Sequence, residues 1–315
     1  MRSILLLLFS SLLFACKKKD RPSDAVDAGV NCVKEKASAE TITVFPADNA
    51  WNEDISTAPV DPYNAEIIAG FSTNSIKADF GSGTWDNAPI GIPYIVVCST
   101  QTKMPVVFTD YGNESDPGPY PIPLDAPVEG NGVGDAHVIA VDGDNGLLYE
   151  LYHARVNGGR WEAASGAIFN LRSNALRPEG WTSADAAGLP IFPGLVRFEE
   201  TERGEIDHAI RFTLASSKVR PAYIHPARHK VNSTGGPFSL PFGAKIRLKA
   251  GYDISGFSAR NQVILRAMKK YGLILADIGS NLYFSGAPDE RWNNNDLKQL
   301  GQLKGADFEV IRFNQ

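Results

Sequence analysis

The sequence has little cysteine, little histidine and no excess of positive charge. Its 315 residues include three cysteines and five histidines, and the formal net charge is −5. This acidic balance lacks the basic surface that nucleic-acid binding requires, so nucleic acid is not expected as a partner. Phosphate-binding and dinucleotide-binding glycine motifs are missing, and so is the G-x-S-x-G motif of serine hydrolases. These common enzyme classes are therefore not indicated.

The start of the chain resembles an export signal. Arg2 precedes an apolar run over residues 4–14 that is too short to span a bilayer but fits the core of a signal peptide. The letters LFAC at 13–16 resemble a bacterial lipobox, which implies cleavage before Cys16 and lipidation of that residue. The alternative is an ordinary signal peptide with an unrelated cysteine. Residues 1–15 are thus predicted to be a lipoprotein signal peptide. The mature protein is then expected in the cell envelope, anchored at the outer membrane or cell surface.

The next segment, residues 16–40, is polar and has no hydrophobic periodicity, which predicts a disordered tether. Export implies an oxidising compartment. If Cys16 is lipidated, Cys32 and Cys98 remain, and this even remainder permits one disulfide. Two separate thiols are the alternative. Residues 41–315 are expected to form a single β-rich globular domain.

Glycine and proline divide the rest of the chain into short runs rich in Val, Ile, Tyr and Phe, which are typical of strands. Helices are few. One is predicted over 259–271 with Ser258 as its cap, one over 296–304, and a third near Asn64. The predicted fold is mainly β: a jelly-roll-like β-sandwich with a few packed helices, mostly C-terminal. Predicted strands cover 92–99, 104–109, 136–141, 147–156, 206–214, 221–225 and 244–249.

Two of these strands, 136–141 and 147–156, form a predicted hairpin around the turn DGDNG. Both arms are apolar on both faces, which indicates a covered position. Glu150 lies in the second arm, where a carboxylate is costly without a partner. The expected register turns Glu150 away from His137, and a slip of one residue would reverse this.

Glu150 therefore has two interpretations. It is either a carboxyl with a raised pKa, suited to acid catalysis, or the partner of a core arginine such as Arg211 or Arg228.

A second candidate is the stretch RGEIDHAIRF at 203–212. Strand alternation places Glu205, Asp207 and Arg211 on one face and His208 on the apolar face. This strand is expected in the same sheet region as the hairpin. The candidate catalytic residues are Glu150, Glu205, Asp207, His208 and Arg211.

The histidines all lie between 137 and 229, but no helical pair or H-x-H motif of a metal site occurs. Separate strands could still bring His137, His208 and His229 together around a divalent metal. The alternative is a separate structural role for each. No other cofactor is expected.

Two long loops, 110–134 and 165–195, have no sustained periodicity, and ordered loops of this length usually serve a function. The first is rich in proline, tyrosine and acidic residues, a composition that suits sugar or cation recognition, and the alternative is an acidic rim that is only solvated. Several long blocks of the chain resemble a family of secreted bacterial proteins with no established activity. The resemblance implies that most of the mature chain is one unit, and it implies no chemistry. The blocks are AWNEDIST, SGAIFNLRSNALRPEGWTSADAAGLPI, GEIDHAIRF, HPARH, YGLILADIGSN and SGAPDERW.

These patterns favour a lipid-anchored extracytoplasmic protein that binds or cleaves extracellular carbohydrate. If the protein is an enzyme, carboxylate-based glycoside hydrolysis is favoured. The alternatives are a metal-dependent hydrolase or oxidase that uses the histidines, and a non-catalytic cell-surface structural protein. Expected partners are the membrane, through Cys16, and a glycan. The sequence gives no indication of oligomeric state.

Overall fold

A computed structural model describes residues 30–313. The predicted signal peptide, the lipidation site Cys16 and the first part of the predicted tether lie outside these residues. Within 30–313, no helix is both long enough and apolar enough to cross a membrane.

Short strands dominate the described chain, as the sequence predicted. Their bounds are β1 (Val33–Lys34), β2 (Lys77–Asp79), β3 (Thr84–Trp85), β4 (Ala88–Pro89), β5 (Ile95–Val97), β6 (Val106–Phe108), β7 (Val138–Asp142), β8 (Leu147–Tyr152), β9 (Arg155–Asn157), β10 (Arg160–Ala163), β11 (Ser165–Asn170), β12 (Ile210–Leu214), β13 (Val219–Tyr223), β14 (Leu240–Phe242), β15 (Lys245–Leu248), β16 (Leu273–Ile278), β17 (Tyr283–Ser285) and β18 (Phe308–Val310).

The helices are short apart from one, which is the helix predicted from Ser258 onward. The Ser258 side chain accepts a hydrogen bond from the backbone N–H of Asn261, and Gly272 follows the helix with a φ of 76°. The α-helices occur along the chain, so the prediction that helices are mostly C-terminal is not supported. They are α1 (Asn64–Ala69), α2 (Phe198–Arg203), α3 (Ala259–Lys270) and α4 (Asn294–Leu297). Short 3-10 helices cover Lys36–Thr41, Gly112–Glu114, Glu129–Gly132, Phe192–Gly194, Ser216–Lys218, Lys298–Gln302 and Gly305–Asp307.

The two largest sheets are mixed. One has the order β1-β5-β7-β8-β11, and the other β18-β15-β16-β12-β17-β2. The pairs β5–β7, β12–β16 and β17–β2 are parallel, whereas a jelly roll is antiparallel. The structure is therefore mainly β but does not have the predicted jelly-roll pairing. Period-2 patterns indicate where strands occur, and they carry no information about which strands become neighbours.

The predicted hairpin is β7 and β8, with a register one residue away from the expected one. Glu150 pairs with Ile139, and this turns its side chain to the same side of the sheet as His137. The stretch 203–212 is different. Only its end enters β12, since α2 ends at Arg203 and Gly204 turns the chain with a φ of 88°. Because β12 belongs to the six-stranded sheet, the expectation that it shares a sheet region with the hairpin is wrong.

The segment around Cys32 also differs from the prediction. Cys32 and Cys98 form the predicted disulfide, with their Cα atoms 5.5 Å apart. The adjacent β1 pairs with β5, and the following 3-10 turn buries Ala39. Residues 33–40 therefore lie on the domain and not in a disordered tether. A two-residue strand and a single turn are too short to give a periodic sequence signal.

Candidate functional site

The structure places Arg211 at the centre of a buried charged group. Its Nε donates to Asp185 Oδ2 at 2.7 Å and its Nη2 to Asp185 Oδ1 at 2.8 Å. This two-point geometry matches the planar guanidinium to the carboxylate. The remaining nitrogen, Nη1, donates to the Ser285 hydroxyl at 2.8 Å. The Asp185 side chain is completely buried and that of Arg211 nearly so, so each charge depends on the other for its solvation.

A second carboxyl, that of Asp277, lies on the neighbouring strand β16 and shares the same arginine. Its Oδ2 is 3.3 Å from Arg211 Nη2, and its side chain is 18% exposed. Burial and the negative charge of Asp185 raise the pKa of Asp277 to about 8, although the charge of Arg211 opposes the rise. Asp277 is thus a carboxyl whose pKa is raised well above its ordinary value and whose side chain still reaches solvent.

Strand register extends this group towards the edge of the sheet. The pairing of Phe212 with Phe284 places Arg211 opposite Ser285, and Ser285 pairs in turn with Asp79 on β2. Paired residues on adjacent strands face the same side of a sheet, so these side chains form one row. Asp79 is exposed to solvent, yet burial and the charge of Glu129 raise its pKa, while Arg211 opposes the rise. Asp79 therefore lies at the exposed end of the row.

A second part of the same charged group is built around His137, directly before β7. Its Nδ1 is 2.5 Å from Glu129 Oε2, and its Nε2 is 2.9 Å from the backbone oxygen of Ala184. Both partners are acceptors, so both ring nitrogens donate and the imidazole is protonated. Burial opposes this charge, but the Glu129 carboxylate outweighs it and raises the pKa of His137 to about 9. The Tyr152 ring lies beside the histidine, with the two ring centres 5.8 Å apart.

The predicted loop 165–195 begins with strand β11 (Ser165–Asn170), and its remainder connects His137 to Arg211, which accounts for its ordered structure. The carbonyl of Ala184 binds His137, and the next residue, Asp185, binds Arg211. On the solvent side, the charge of the exposed Asp135 adds to the rise in the pKa of Asp277. We name this constellation the Arg211 cluster, and its members are Asp79, Glu129, Asp135, His137, Asp185, Arg211 and Asp277.

Glu150 is not at the solvent side of this cluster. It is fully buried, and its Oε1 accepts hydrogen bonds from the backbone N–H groups of Ile191 and Phe192, both at 2.9 Å. Neither Arg211 nor Arg228 is its partner, as the hydrogen bonds to Glu150 come from backbone groups. Burial raises the pKa of Glu150 to about 7, although these backbone donors oppose the rise. Glu150 therefore holds Ile191 and Phe192, in the segment that follows Asp185, by accepting their backbone hydrogen bonds.

We expect Glu150→Gln to destabilise the protein most at low pH. The folded-state pKa of Glu150 lies above its unfolded value. The wild-type free energy of unfolding should therefore fall by about 3 kcal/mol from this group as pH rises from about 4.5 to 7. The amide does not titrate, and its NH₂ group would face the N–H of Ile191, at a cost of roughly 1–3 kcal/mol. Urea unfolding at pH 5 and pH 8 measures the deficit, which is the free energy of unfolding of wild type minus that of the variant. The deficit should be smaller at pH 8 than at pH 5. An equal deficit at both pH values would contradict this, and the exposed Glu205→Gln is the control.

The other candidates from the 203–212 stretch lie elsewhere. The Glu205 and Asp207 side chains are 64% and 63% exposed, and their nearest cations are Lys270 at 4.0 Å and Arg203 at 3.7 Å. Neither carboxylate forms an ion pair with Arg211. The two residues belong to the solvated turn before β12.

His208 is buried, and its Nε2 lies 2.8 Å from Glu200 Oε1 while its Nδ1 lies 2.8 Å from the backbone oxygen of Ala209. It lines a separate polar cavity of about 450 Å³ together with Asp207, Arg197 and Arg203. The predicted catalytic set is therefore divided among at least three places, and only Arg211 belongs to the cluster.

The predicted metal site is not assembled either. His137 and His208 have the separate partners described above, and His229 Nδ1 lies 2.8 Å from the backbone oxygen of Ala186. Within residues 30–313, no group of three or more His, Cys, Asp or Glu side chains is arranged to hold a metal ion. The three histidines thus have distinct local contacts.

Sequence reasoning missed most of the cluster. Asp277 lies in the apolar run LILADI, and this is the same signal that identified Glu150 in LLYELY. Asp185 and Glu129 lie in loops, and no local pattern distinguishes them from solvated acidic residues. Asp79 is set in place by pairing at the far edge of the sheet, which a local pattern does not encode.

The fold and cluster define a mainly β protein with a buried, paired arginine beside a carboxyl whose pKa is raised. No protein-family model matches the chain, and neither a curated protein nor a solved structure shows significant similarity to it. The resemblance to a family of secreted bacterial proteins therefore stays a prediction.

Proposed function

We propose that the protein acts on extracellular carbohydrate as an acid–base enzyme and that Asp277 is its proton donor. The observation that supports this is the raised pKa of Asp277 at the solvent side of the Arg211 cluster. Hydrolysis of a glycosidic bond needs a carboxylic acid that is still protonated at the working pH, so that it can protonate the leaving oxygen. An ordinary exposed aspartate has lost that proton well below neutrality.

The neighbours of Asp277 suit this role. Asp185 holds Arg211 in a fixed orientation, and Arg211 positions one oxygen of Asp277 at 3.3 Å. The second carboxylate that glycoside hydrolysis requires would come from the exposed rim, where Asp135 is coupled electrostatically to Asp277. In this proposal Asp135 activates water or attacks the sugar, and Arg211 and Asp185 are positioning residues. We also propose that the two large sheets stack as a sandwich, since one apolar core draws on both.

The test is the release of new reducing ends from a panel of neutral and acidic polysaccharides by the purified full chain, measured from pH 5 to pH 9. We expect turnover of at least one polysaccharide, with activity declining above about pH 8 as Asp277 loses its proton. Activity that continues to rise through pH 9 would exclude Asp277 as the acid. No turnover on any member of the panel would contradict the enzymatic proposal.

The cellular location is a separate part of the proposal. We propose that lipidated Cys16 anchors the protein in the cell envelope, on the sequence pattern LFAC alone. Cys16→Ser should move the protein from the membrane fraction to the soluble fraction. Both fractions can be measured by immunoblotting, with Cys98→Ser as a control that leaves the signal intact. Retention of the Cys16→Ser variant in the membrane fraction would contradict lipidation at this residue.

A further inference from the structure

We infer that Trp85 and the cavity beside it form a second glycan-binding site, across the edge strand β2 from the Arg211 cluster. Strand alternation turns Asp79 to the side of the cluster and turns Ile76, Ala78 and Phe80 to the opposite side. A cavity of about 620 Å³ lies on that opposite side, lined by these three residues and by Trp85. Its volume falls within the roughly 300–1,000 Å³ of small-molecule sites.

Trp85 is the most exposed large apolar side chain in residues 30–313, at 79%. It ends β3 and pairs with Ala88 of β4, and the two turn residues between them have φ values of 49° and 64°. Positive φ at both central residues is the geometry of a tight hairpin turn that matches the twist of its strands. The Asn131 side chain donates to the backbone oxygen of Asn87 at 2.7 Å and fixes the hairpin to the loop that follows Glu129. The indole is thus held outward on a fixed support.

The cavity is preformed as well. The Asn294 amide accepts from the backbone N–H of Ser82 and donates to the Ser82 oxygen, both at 2.9 Å, which fixes the turn before β3. Gly81 is needed in that turn because a Cβ there would lie 2.4 Å from Asn294 Oδ1. The exposed Lys298 stands among the lining residues, whereas the Lys77 ammonium donates to the Tyr283 hydroxyl at 3.3 Å on the other side of β2.

This combination fits a pyranose ring. One face of such a ring presents C–H groups that pack on a flat aromatic surface, and its rim presents oxygens that accept hydrogen bonds from ammonium groups. The oxygens can be hydroxyls of a neutral sugar or the carboxylate of a uronic acid. The inference rests on the proposed function for its ligand class, and it deepens that function by adding a site that holds the polymer near the acid.

The test is binding of the purified full chain to an array of neutral and uronic-acid oligosaccharides. We expect Trp85→Ala to weaken binding by about tenfold or more, because the stacking surface is lost. Phe238→Ala, which removes another exposed aromatic ring, one that packs on Tyr63, should bind like wild type. Lys298→Gln should weaken binding to uronic-acid oligosaccharides more than to neutral ones if the bound oxygen is a carboxylate, and Lys77→Gln is the control because its ammonium donates to Tyr283. An equal loss on both sets would identify hydroxyls.

Two further measurements distinguish the Trp85 site from the proposed acid, Asp277. Trp85→Ala should still cleave a small aryl glycoside that the wild type cleaves, and Asp277→Asn should keep its array binding. Undiminished array binding by Trp85→Ala would overturn the inference. An absence of array binding by wild type would overturn it as well. Attachment to lipid vesicles through Trp85, without array binding, would be one such result.

Discussion

Replacing Asp277 with asparagine is expected to lower kcat for polysaccharide cleavage by about 10²–10⁴-fold, the usual contribution of a general acid. The amide has nearly the same size and its oxygen can still accept from Arg211, but its NH₂ group would then face the Ile278 N–H, which donates to Asp277 Oδ1 at 2.7 Å. Urea unfolding of the variant therefore accompanies the kinetics, so that loss of fold and loss of the proton are told apart. The amide cannot deliver a proton to the leaving oxygen. A glycoside with a nitrophenol leaving group needs less protonation, so its cleavage should fall much less than that of the polysaccharide.

The pH profile gives an independent check of the same residue. Asp277 works in its protonated form, so wild-type kcat/KM should decline as pH rises through about 8. The residual activity of Asp277→Asn should lack that decline. Asp207→Asn is the matched control, since its side chain is 63% exposed and lies away from the cluster. If Asp207→Asn lost as much activity as Asp277→Asn, the cavity at His208 would be the better candidate.

Replacing Arg211 with methionine is expected to destabilise the protein by about 3–5 kcal/mol, because the change leaves a buried charge without its partner. Asp185 is completely buried, and both of its oxygens face Arg211. In contrast, Arg203→Met removes an arginine that is 40% exposed and should cost less than about 1 kcal/mol. Urea unfolding at pH 7 measures both variants.

A compensating change sharpens this prediction. Asp185→Leu combined with Arg211→Met removes both buried charges and should recover much of the lost stability. If the double variant were as unstable as the sum of the two single variants, the ion pair would not be the source of the loss. An Arg211→Met variant as stable as Arg203→Met would show that Asp185 is solvated in another way.

The sequence predicted the parts of this protein whose signals are local. The cap at Ser258, the apolar stripe after it and the alternating runs of β7 and β8 indicate their structures without reference to distant residues. Pairing is a long-range property, and there the predictions failed. A one-residue difference in register reversed the side to which Glu150 faces, and mixed strand order replaced the expected jelly roll.

The candidate site shows the same contrast between local signals and long-range pairing. A lone carboxylate in an apolar strand is a local signal, and it identified Glu150; applied equally to LILADI, it would have identified Asp277. The assembly of Asp79, Asp185 and Arg211 depends on strands and a loop that are far apart in the chain. Only the register of the six-stranded sheet and the path of the loop 165–195 bring them together.

The covalent bond between Cys32 and Cys98 has a mechanical consequence under the proposed anchoring through Cys16. Tension applied upstream of Cys32 reaches this cross-link before it reaches β1. The force therefore passes directly into β5, which is flanked by β1 and β7 in the five-stranded sheet. Without the cross-link, the hydrogen bonds of the two-residue strand β1 would break one after another. With the cross-link, the force is shared among the strands in the interior of the sheet. Under that proposal, a pull on the anchor would not by itself separate the edge strand β1 from the five-stranded sheet.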